Sequence, residues 1–521
     1  MKLRPVLLSI GWAGLFGLAY TQAPLPYSNQ NQYLLHGFGA ADDGPLRRDW
    51  LANTASPTPV FDALVFLTVK HGHGFAFHGY YALLLGVYWS SLVGVFDFLT
   101  EGRAPPRRRL AFAALLMLAH SALLRWASYR LLDADYPCYA QGWLAAQYVL
   151  GPVFQPSAFG VFLIAAIHQF LRNRPLIAAA CLGLACLGHA TYLLPAAILT
   201  LTFAAMLAFD GRRGRGAAAG ALALLLVLPV LIYGYETFRP TSSSAFMLAE
   251  SILVDERIPH HCKPRQWFDA IAGLQIALMA ASLLLVRRTR LFPVLGVLFV
   301  ASAALTFIQL ATDNRALALL FPWRSSVVLL PLATAIALTR LVMLAGRWIE
   351  STPSKGVALA AVGGGLAIMV FRQGYATNDA EEPLMAFVRA NRRPDGLYLI
   401  PVAVPNLTGN RGSISSDFKP LPAQKADGRV IPVDFQRFRL VAGVPVHVDF
   451  KAIPYRDVDV LEWRARVAWN AEVTKNRTAP RSELLERGIT HVVAARDRDW
   501  SGEGLTLLYE DDNYRLYTIG R

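Results

Sequence analysis

Long apolar runs alternate with short basic joints over the first 371 residues of the chain, and the pattern changes abruptly after that. A helix needs about 20 predominantly apolar residues to cross a hydrocarbon core. On that measure the runs at 5–20, 75–99, 110–126, 152–171, 176–188, 192–209, 217–235, 268–286, 291–310, 316–344 and 356–371 predict eleven membrane spans. The first run follows Met1-Lys2-Leu3-Arg4 and could pass for a signal peptide. It ends in Thr21-Gln22-Ala23-Pro24 without a clear small-residue cleavage site, so it reads as an uncleaved span. One more apolar run, 60–69, has only roughly half the needed length and predicts an interfacial or half-inserted helix.

The joints fix an orientation. Arg103, Arg107, Arg108 and Arg109 follow the second run; Arg172 and Arg174 the fourth; Arg212, Arg213 and Arg215 the sixth; Arg287, Arg288 and Arg290 the eighth; Arg347 the tenth. Cationic joints stay on the cytoplasmic side. The N-terminus is therefore expected in the cytoplasm, and the polar loops after runs one, three, seven and nine outside. Were 60–69 a full span, every later arginine joint would change sides, so the charge pattern decides against it. An odd number of spans also puts residues 372–521 outside.

That tail reads as a soluble α/β domain. Helices are expected at 382–391, 458–473 and 482–487, and strands at 396–401 and 490–494. Hairpins are expected over 437–450 and between 505–509 and 514–519. It holds no GxGxxG, Walker, GxSxG or HExxH motif. Asn406-Leu407-Thr408 and Asn476-Arg477-Thr478 match the glycosylation sequon.

Composition agrees with a membrane protein. The chain is 54% hydrophobic and 17% charged, against about 25% charged in soluble proteins. The net charge of +14 is explained by the joints. No basic stripe interleaved with aromatics is present, which excludes nucleic acid as a partner. Cys181 and Cys186 lie in one apolar run and read as packing; Cys138 and Cys262 fall in loops on one side and could form a disulfide.

Polar chemistry concentrates in the outer loops, above all 21–59 and 236–267. The first holds the amide run Asn29-Gln30-Asn31-Gln32, His36, Asp42, Asp43, Arg47, Arg48 and Asp49. Asp43-Gly44-Pro45 reads as a helix start, with Asp43 as N-cap. Leu46, Trp50 and Leu51 would lay that helix on the membrane surface. Asp49, kept ionised by Arg47 and Arg48, is then a candidate proton acceptor for an attacking hydroxyl; alternatively it pairs with Arg48 or caps a turn. In the second loop Pro259-His260-His261-Cys262 stands near Arg257, Lys263 and Arg265, a set suited to a phosphate or to a stiff solvated turn. Three consecutive side chains rarely converge on one ion, so no metal is assigned to His260, His261 and Cys262. Arg324, in Phe321-Pro322-Trp323-Arg324, either faces a lipid head group, snorkels, or pairs with Asp313. Arg315 beside Asp313 and His189 in the turn after the fifth run are further candidates. His78 and His120 are expected within spans.

The stretches NQNQYLLHG, RDWLANTASPTPVF, HATYLLP, IPHH and FPWR, in this order of spans and loops, resemble a bacterial branch of the GT-C membrane glycosyltransferases. The resemblance implies a polytopic α-helical membrane protein of about 11 spans, GT-C-like over residues 1–371, with a soluble α/β domain over 372–521 on the periplasmic face of a bacterial inner membrane. It implies a polyprenyl-phosphate sugar as donor, inversion at the anomeric carbon, and an acceptor hydroxyl on a glycan, lipid or protein. Asp49 would be the base with Asp42 or Asp43 in reserve, and His260, His261, Arg257 and Arg324 would hold the donor phosphate. The first loop lacks the DxD or ExD of that class, Asp42-Asp43 being the nearest pair, so neither a divalent metal nor another cofactor is called for. A lipid or polyprenol transporter, or a non-catalytic scaffold or sensor, would share the topology. The first predicts polar residues along the whole path, the second outer carboxylates and histidines scattered in space.

Overall fold

The computed structural model describes residues 3–351, 353–373, 379–402, 433–497, 500 and 504–520. Each expected apolar run is helical. Ala76–Leu99, Ala190–Phe209, Arg213–Thr237, Leu291–Thr312 and Arg315–Leu344 are long and apolar enough to cross a membrane, and Pro106–His120 with Ala122–Leu132 forms a sixth crossing if that pair, bent by 53°, counts as one. The bend falls at Ser121, whose hydroxyl caps the second helix through the Leu124 N–H at 3.2 Å. Leu7–Tyr20, Pro156–Leu171, Pro175–Gly188, Ala270–Leu285 and Ser354–Val370 are shorter apolar helices. The run at 60–69 is the 13-residue helix Pro59–His71.

The basic joints gather at the end of the bundle away from the tail, where Asp97, Glu350 and Asp210 neutralise Arg109, Arg108 and Arg290. His120 lies inside a span as expected. There its ring bonds to Tyr88 Oη and to the Leu116 carbonyl, both at 2.8 Å. His78 instead opens its span and pairs with Gln22 at 3.0 Å. No disulfide joins Cys138 to Cys262; both are buried thiols, and Cys262 packs with Val254 and Ala318.

The tail contains a sheet of β1 (Tyr398–Leu399), β2 (His491–Ala495), β3 (Leu505–Glu510) and β4 (Tyr514–Ile519), in the order β1-β2-β4-β3. β1 runs parallel to β2, and the other pairings are antiparallel. Helices Glu382–Ala390, Asp457–Asn476 and Arg481–Glu486 fall where the pattern put them. The hairpin expected over 437–450 is not formed. Phe438–Ala442 is helical, Gly443 turns the chain at φ +68°, and Val446 bridges Tyr398 in parallel. Residues 403–432, with the Asn406 sequon, lie outside the described residues; Asn476 ends its helix.

The first loop meets the tail instead of lying on the bilayer. Two 3-10 turns, Pro45–Arg48 and Leu51–Asn53, replace the expected helix, and Asp42, not Asp43, accepts the Leu46 N–H at 3.0 Å. Leu46 and Leu51 pack with Leu35 and with Ala452 of the tail, and Arg466 lies over the Trp50 ring at 4.2 Å. Between these contacts sits a buried charge network. Asp49 is 0% exposed: its Oδ1 accepts the Ala52 N–H at 3.1 Å, and its Oδ2 accepts Arg439 Nε at 2.8 Å and the Val446 N–H at 3.1 Å. Arg439 also grips Asp449. Burial alone would lower the Arg439 pKa, but the two carboxylates more than reverse it.

On the Pro59–His71 helix, Asp62 is largely enclosed, with Oδ1 lacking a hydrogen-bond partner among the described residues. Burial raises its pKa to about 7, opposed by a hydrogen bond from Ser56.

Two measurements test these placements. Arg439→Ala leaves two buried carboxylates without their counter-ion, a loss of about 3–5 kcal/mol, and should free the tail to protease and lower Tm; an unchanged Tm refutes the network. Asp62 is neutral when folded and ionised when unfolded between about pH 4 and pH 7, so it lowers stability as pH rises through that window. Asp62→Asn should therefore raise Tm above wild type by an amount that grows from pH 4 and levels off above pH 7; a pH-independent difference would contradict this.

Candidate functional site

Tight local structure aims the polar side chains at the tail-side ends of the helices. Phe321, at φ +50°, and Pro322 open the 3-10 turn Pro322–Ser325, which puts Arg324 at the head of Ser326–Leu344. Trp323 is drawn inward against Trp267 and Phe299. Trp143, Ala145 and Ala146 all have positive φ, costing roughly 1–2 kcal/mol each. That knot brings Gln147 and the Ala145 carbonyl to His261, at 3.0 and 2.9 Å. A π-helical turn, Ile252–Arg257, carries Arg257, and Pro259 then starts the short helix Pro259–Cys262 bearing both histidines. Such wide turns are frequent at functional sites.

These pieces converge. Arg324 donates to Gln147 and stacks over Tyr192, its guanidinium carbon 4.7 Å from the ring centre. Tyr192 adjoins His189, and His189 adjoins Tyr33, at 5.7 and 6.0 Å between ring centres. Gln32 donates to Tyr455 at 2.8 Å. Arg257 donates to the Lys451 carbonyl at 2.5 Å and lies over Phe450. His260 packs against His261, the rings tilted by 46° with their centres 4.1 Å apart. Arg257, Arg324 and His189 are buried, while Tyr33, His260, His261, Lys451 and Tyr455 are half-buried around them.

The electrostatics are one-sided. Arg257 Nε, Arg324 Nε and Nη2, and His260 Nδ1 are buried with no hydrogen-bond partner among the described residues. The nearby acid Asp449 is already shared with Arg439, which also holds Asp49. Burial, then Arg257 and Lys451, lower His260 to about 4. His261 and His189 are also lowered, by burial first, with His260 and Arg324 adding for His261 and Arg324 for His189. All three rings are neutral at pH 7. Burial, then Arg257, lower Lys451 to about 8 against the pull of Asp449. The arrangement offers neutral and cationic N–H donors, with an excess of positive charge, to an anion.

Of the residues expected at a site, Arg257, Arg324, His189, His260 and His261 come together. Arg324 does not pair with Asp313; its partner is Gln147. Arg315 and Lys263 stay outside, both bound to Asp255, at 3.0 and 2.6 Å. Asp43 is exposed and pairs with Lys70, and Asp42 caps Leu46. Asp49 corrects the expectation most. Neither Arg47 nor Arg48 is its partner; Arg439 is, from the tail. With both oxygens engaged and no exposure, it cannot meet an acceptor hydroxyl and acts as the tie between loop and tail. Lys451, Tyr455, Tyr33 and Gln147 were not read from the sequence. A single Lys inside the apolar stretch VHVDFKAIP was the one available signal for Lys451. Of the amide run only Gln32 reaches the site; Asn29 donates to Tyr148, Gln30 to the Phe154 carbonyl and Asn31 to the Ser28 carbonyl, at 2.8, 3.0 and 3.0 Å.

No curated protein matches this sequence. A family described as a domain of unknown function (DUF6798) matches residues 424–469. Among solved structures, the crystal structure of ArnT from Cupriavidus metallidurans bound to undecaprenyl phosphate aligns with 99% of this chain and 98% of that one, at 12% identity and a TM-score of 0.41.

Proposed function

We propose that this protein is a GT-C-type membrane glycosyltransferase that takes a sugar from a polyprenyl-phosphate donor, with inversion, and passes it to an acceptor hydroxyl. The observation that carries the reading is the group of buried guanidinium N–H donors on Arg257 and Arg324 that no acceptor among the described residues satisfies. An unpaired buried donor is costly, and a phosphate oxygen removes that cost with charge-assisted bonds. The group sits at the tail-side ends of the spans, the depth at which a polyprenyl chain presents its phosphate. The arginine joints at the opposite end favour, in this reading, the tail side as the outer, periplasmic face of a bacterial plasma membrane.

In this reading Arg257, Arg324 and Lys451 hold the phosphate, and His260, His261 and His189 donate to it as neutral rings. As the sugar leaves, the phosphate changes from a singly charged diester to a monoester of charge about −1.5 to −2. Cations fixed in place stabilise that developing charge more than they stabilise the bound donor, which is the requirement for catalysis. No proton acceptor is assigned, since Asp49 is occupied.

Binding of a polyprenyl-phosphate sugar to the purified protein tests the donor site. Arg257→Ala and Arg324→Ala should each lower affinity about ten- to a hundredfold, and Arg315→Ala should leave it unchanged; wild-type affinity in the first two variants refutes the site. The pH dependence follows from Lys451. A bound anion raises its pKa, so affinity is flat below about pH 8, where the lysine is charged in both states, and falls above it, where binding must first recruit a proton. Lys451→Arg should abolish that decline, and a decline that persists in the variant assigns it to another group.

A further inference from the structure

A second cavity, of about 1160 Å³, opens between the tail and the membrane helices on another side of the first loop. Its lining does not include Arg257, Arg324, Lys451 or the histidine pair. Its lining includes the apolar Leu25, Val69 and Met369, from the tail-side ends of membrane-facing segments, together with Arg372, Arg389, Arg392 and Arg437.

Charge divides these arginines. Arg437 is satisfied by Glu381 and Glu382, at 3.1 and 2.8 Å. Of the other lining carboxylates, Asp42 and Asp43 are held by the Leu46 N–H and by Lys70, and Asp379 also lines the cavity. Among the described residues Arg389 donates to the Val441 carbonyl, at 2.7 Å. Arg372, Arg389 and Arg392 form no ion pair with any carboxylate among the described residues. Gly443 makes room for one of them. At φ +68°, it packs so close to the Arg392 guanidinium that an added Cβ would come within 2.7 Å of Nη1. Around the cavity the helix ends expose large apolar side chains: Phe75, Val370 and Phe371 are 73%, 74% and 70% exposed. In a bilayer those side chains face lipid.

We propose that this cavity binds the phosphate-bearing head group of a membrane lipid, entering from the bilayer. The phosphoryl group meets Arg372, Arg389 and Arg392, and the upper part of the chain lies on Met369, Val69 and Leu25. The site is independent of the donor reading, and either can fail alone. A free phosphate would use the same arginines but gain nothing from the apolar lining, so the two sources separate by affinity.

The test uses the full-length protein in detergent, titrated with dioctanoyl phosphatidic acid, dioctanoyl phosphatidylcholine or inorganic phosphate. The phosphatidic acid should bind saturably, at least tenfold tighter than either of the others. Arg372→Ala combined with Arg392→Ala, both exposed positions that the fold tolerates, should cut that affinity at least tenfold, and Arg372→Lys with Arg392→Lys should keep it within threefold. Equal binding of the zwitterionic lipid, equal binding of inorganic phosphate, or unchanged affinity in the double alanine variant overturns the proposal.

Discussion

Burying like charges together is the constraint on which the candidate site turns. Moving one ammonium or guanidinium out of water costs several kcal/mol even after relaxation, and a neighbour of the same sign adds to it. Arg257 and Arg324 nonetheless both lie near Tyr33, Lys451 lies near Arg257, and the acids within reach are already committed to Arg439. The fold tolerates this because the three histidines stay neutral and add donors without adding charge. What remains is an excess of positive charge that an anion would neutralise. A site of this kind is unfavourable when empty, and the free energy stored in it is released on binding.

The Asp49–Arg439–Asp449 network explains how such a site is assembled from parts far apart in the chain. A buried ion triad is weak evidence for stability, since apolar side chains of equal volume would often serve better. Its value lies in direction. Apolar contacts between Leu46, Leu51 and Ala452 would tolerate sliding, whereas Arg439 must meet two carboxylates on two different segments at once. That fixes where the stretch after Gly443 lies, and Lys451 follows Asp449 by two residues. The first loop is long because it builds the platform on which the tail is seated; the candidate site lies beside that platform.

Much of the architecture was legible because it follows from periodic burial. The apolar runs needed only length to read as helices, and the arginine joints that separate them gather at one end of the bundle. Histidines and arginines in the outer loops could be read as candidates because a polar cluster at a membrane boundary has few bland explanations. Of the readings offered for Asp49, the turn cap is found and the pairing with Arg48 is not, for a definite reason. Sequence neighbours Arg47 and Arg48 seemed to account for its charge, but a carboxylate takes whichever cation the tertiary fold supplies, and that cation lay 390 residues away. Lys451 was missed for the same reason: within the tail it is one charged residue among many, and only docking makes it part of a membrane-boundary site. The stretch around Gly443 was read as a hairpin because its alternation suits a strand pair. Its partner turned out to be Tyr398, a pairing no local pattern encodes.

The segment Ile252–Arg257 shows the same limit within six residues. Asp255, Glu256 and Arg257 are consecutive, and on paper they neutralise one another. On a helical turn, successive side chains point in different directions. Asp255 goes to Lys263 and Arg315, Glu256 reaches Arg464 of the tail at 2.5 Å, and Arg257 turns inward onto Phe450 and the Lys451 carbonyl. Ile252, packed with Val448 and Trp463, pins one end of the turn, and Pro259 stiffens the other. The two acids thus draw off the cations that stay at the surface and leave the one that does not without a counter-ion. Uncompensated charge in the interior is, in this segment, a consequence of which neighbours the surface acids take.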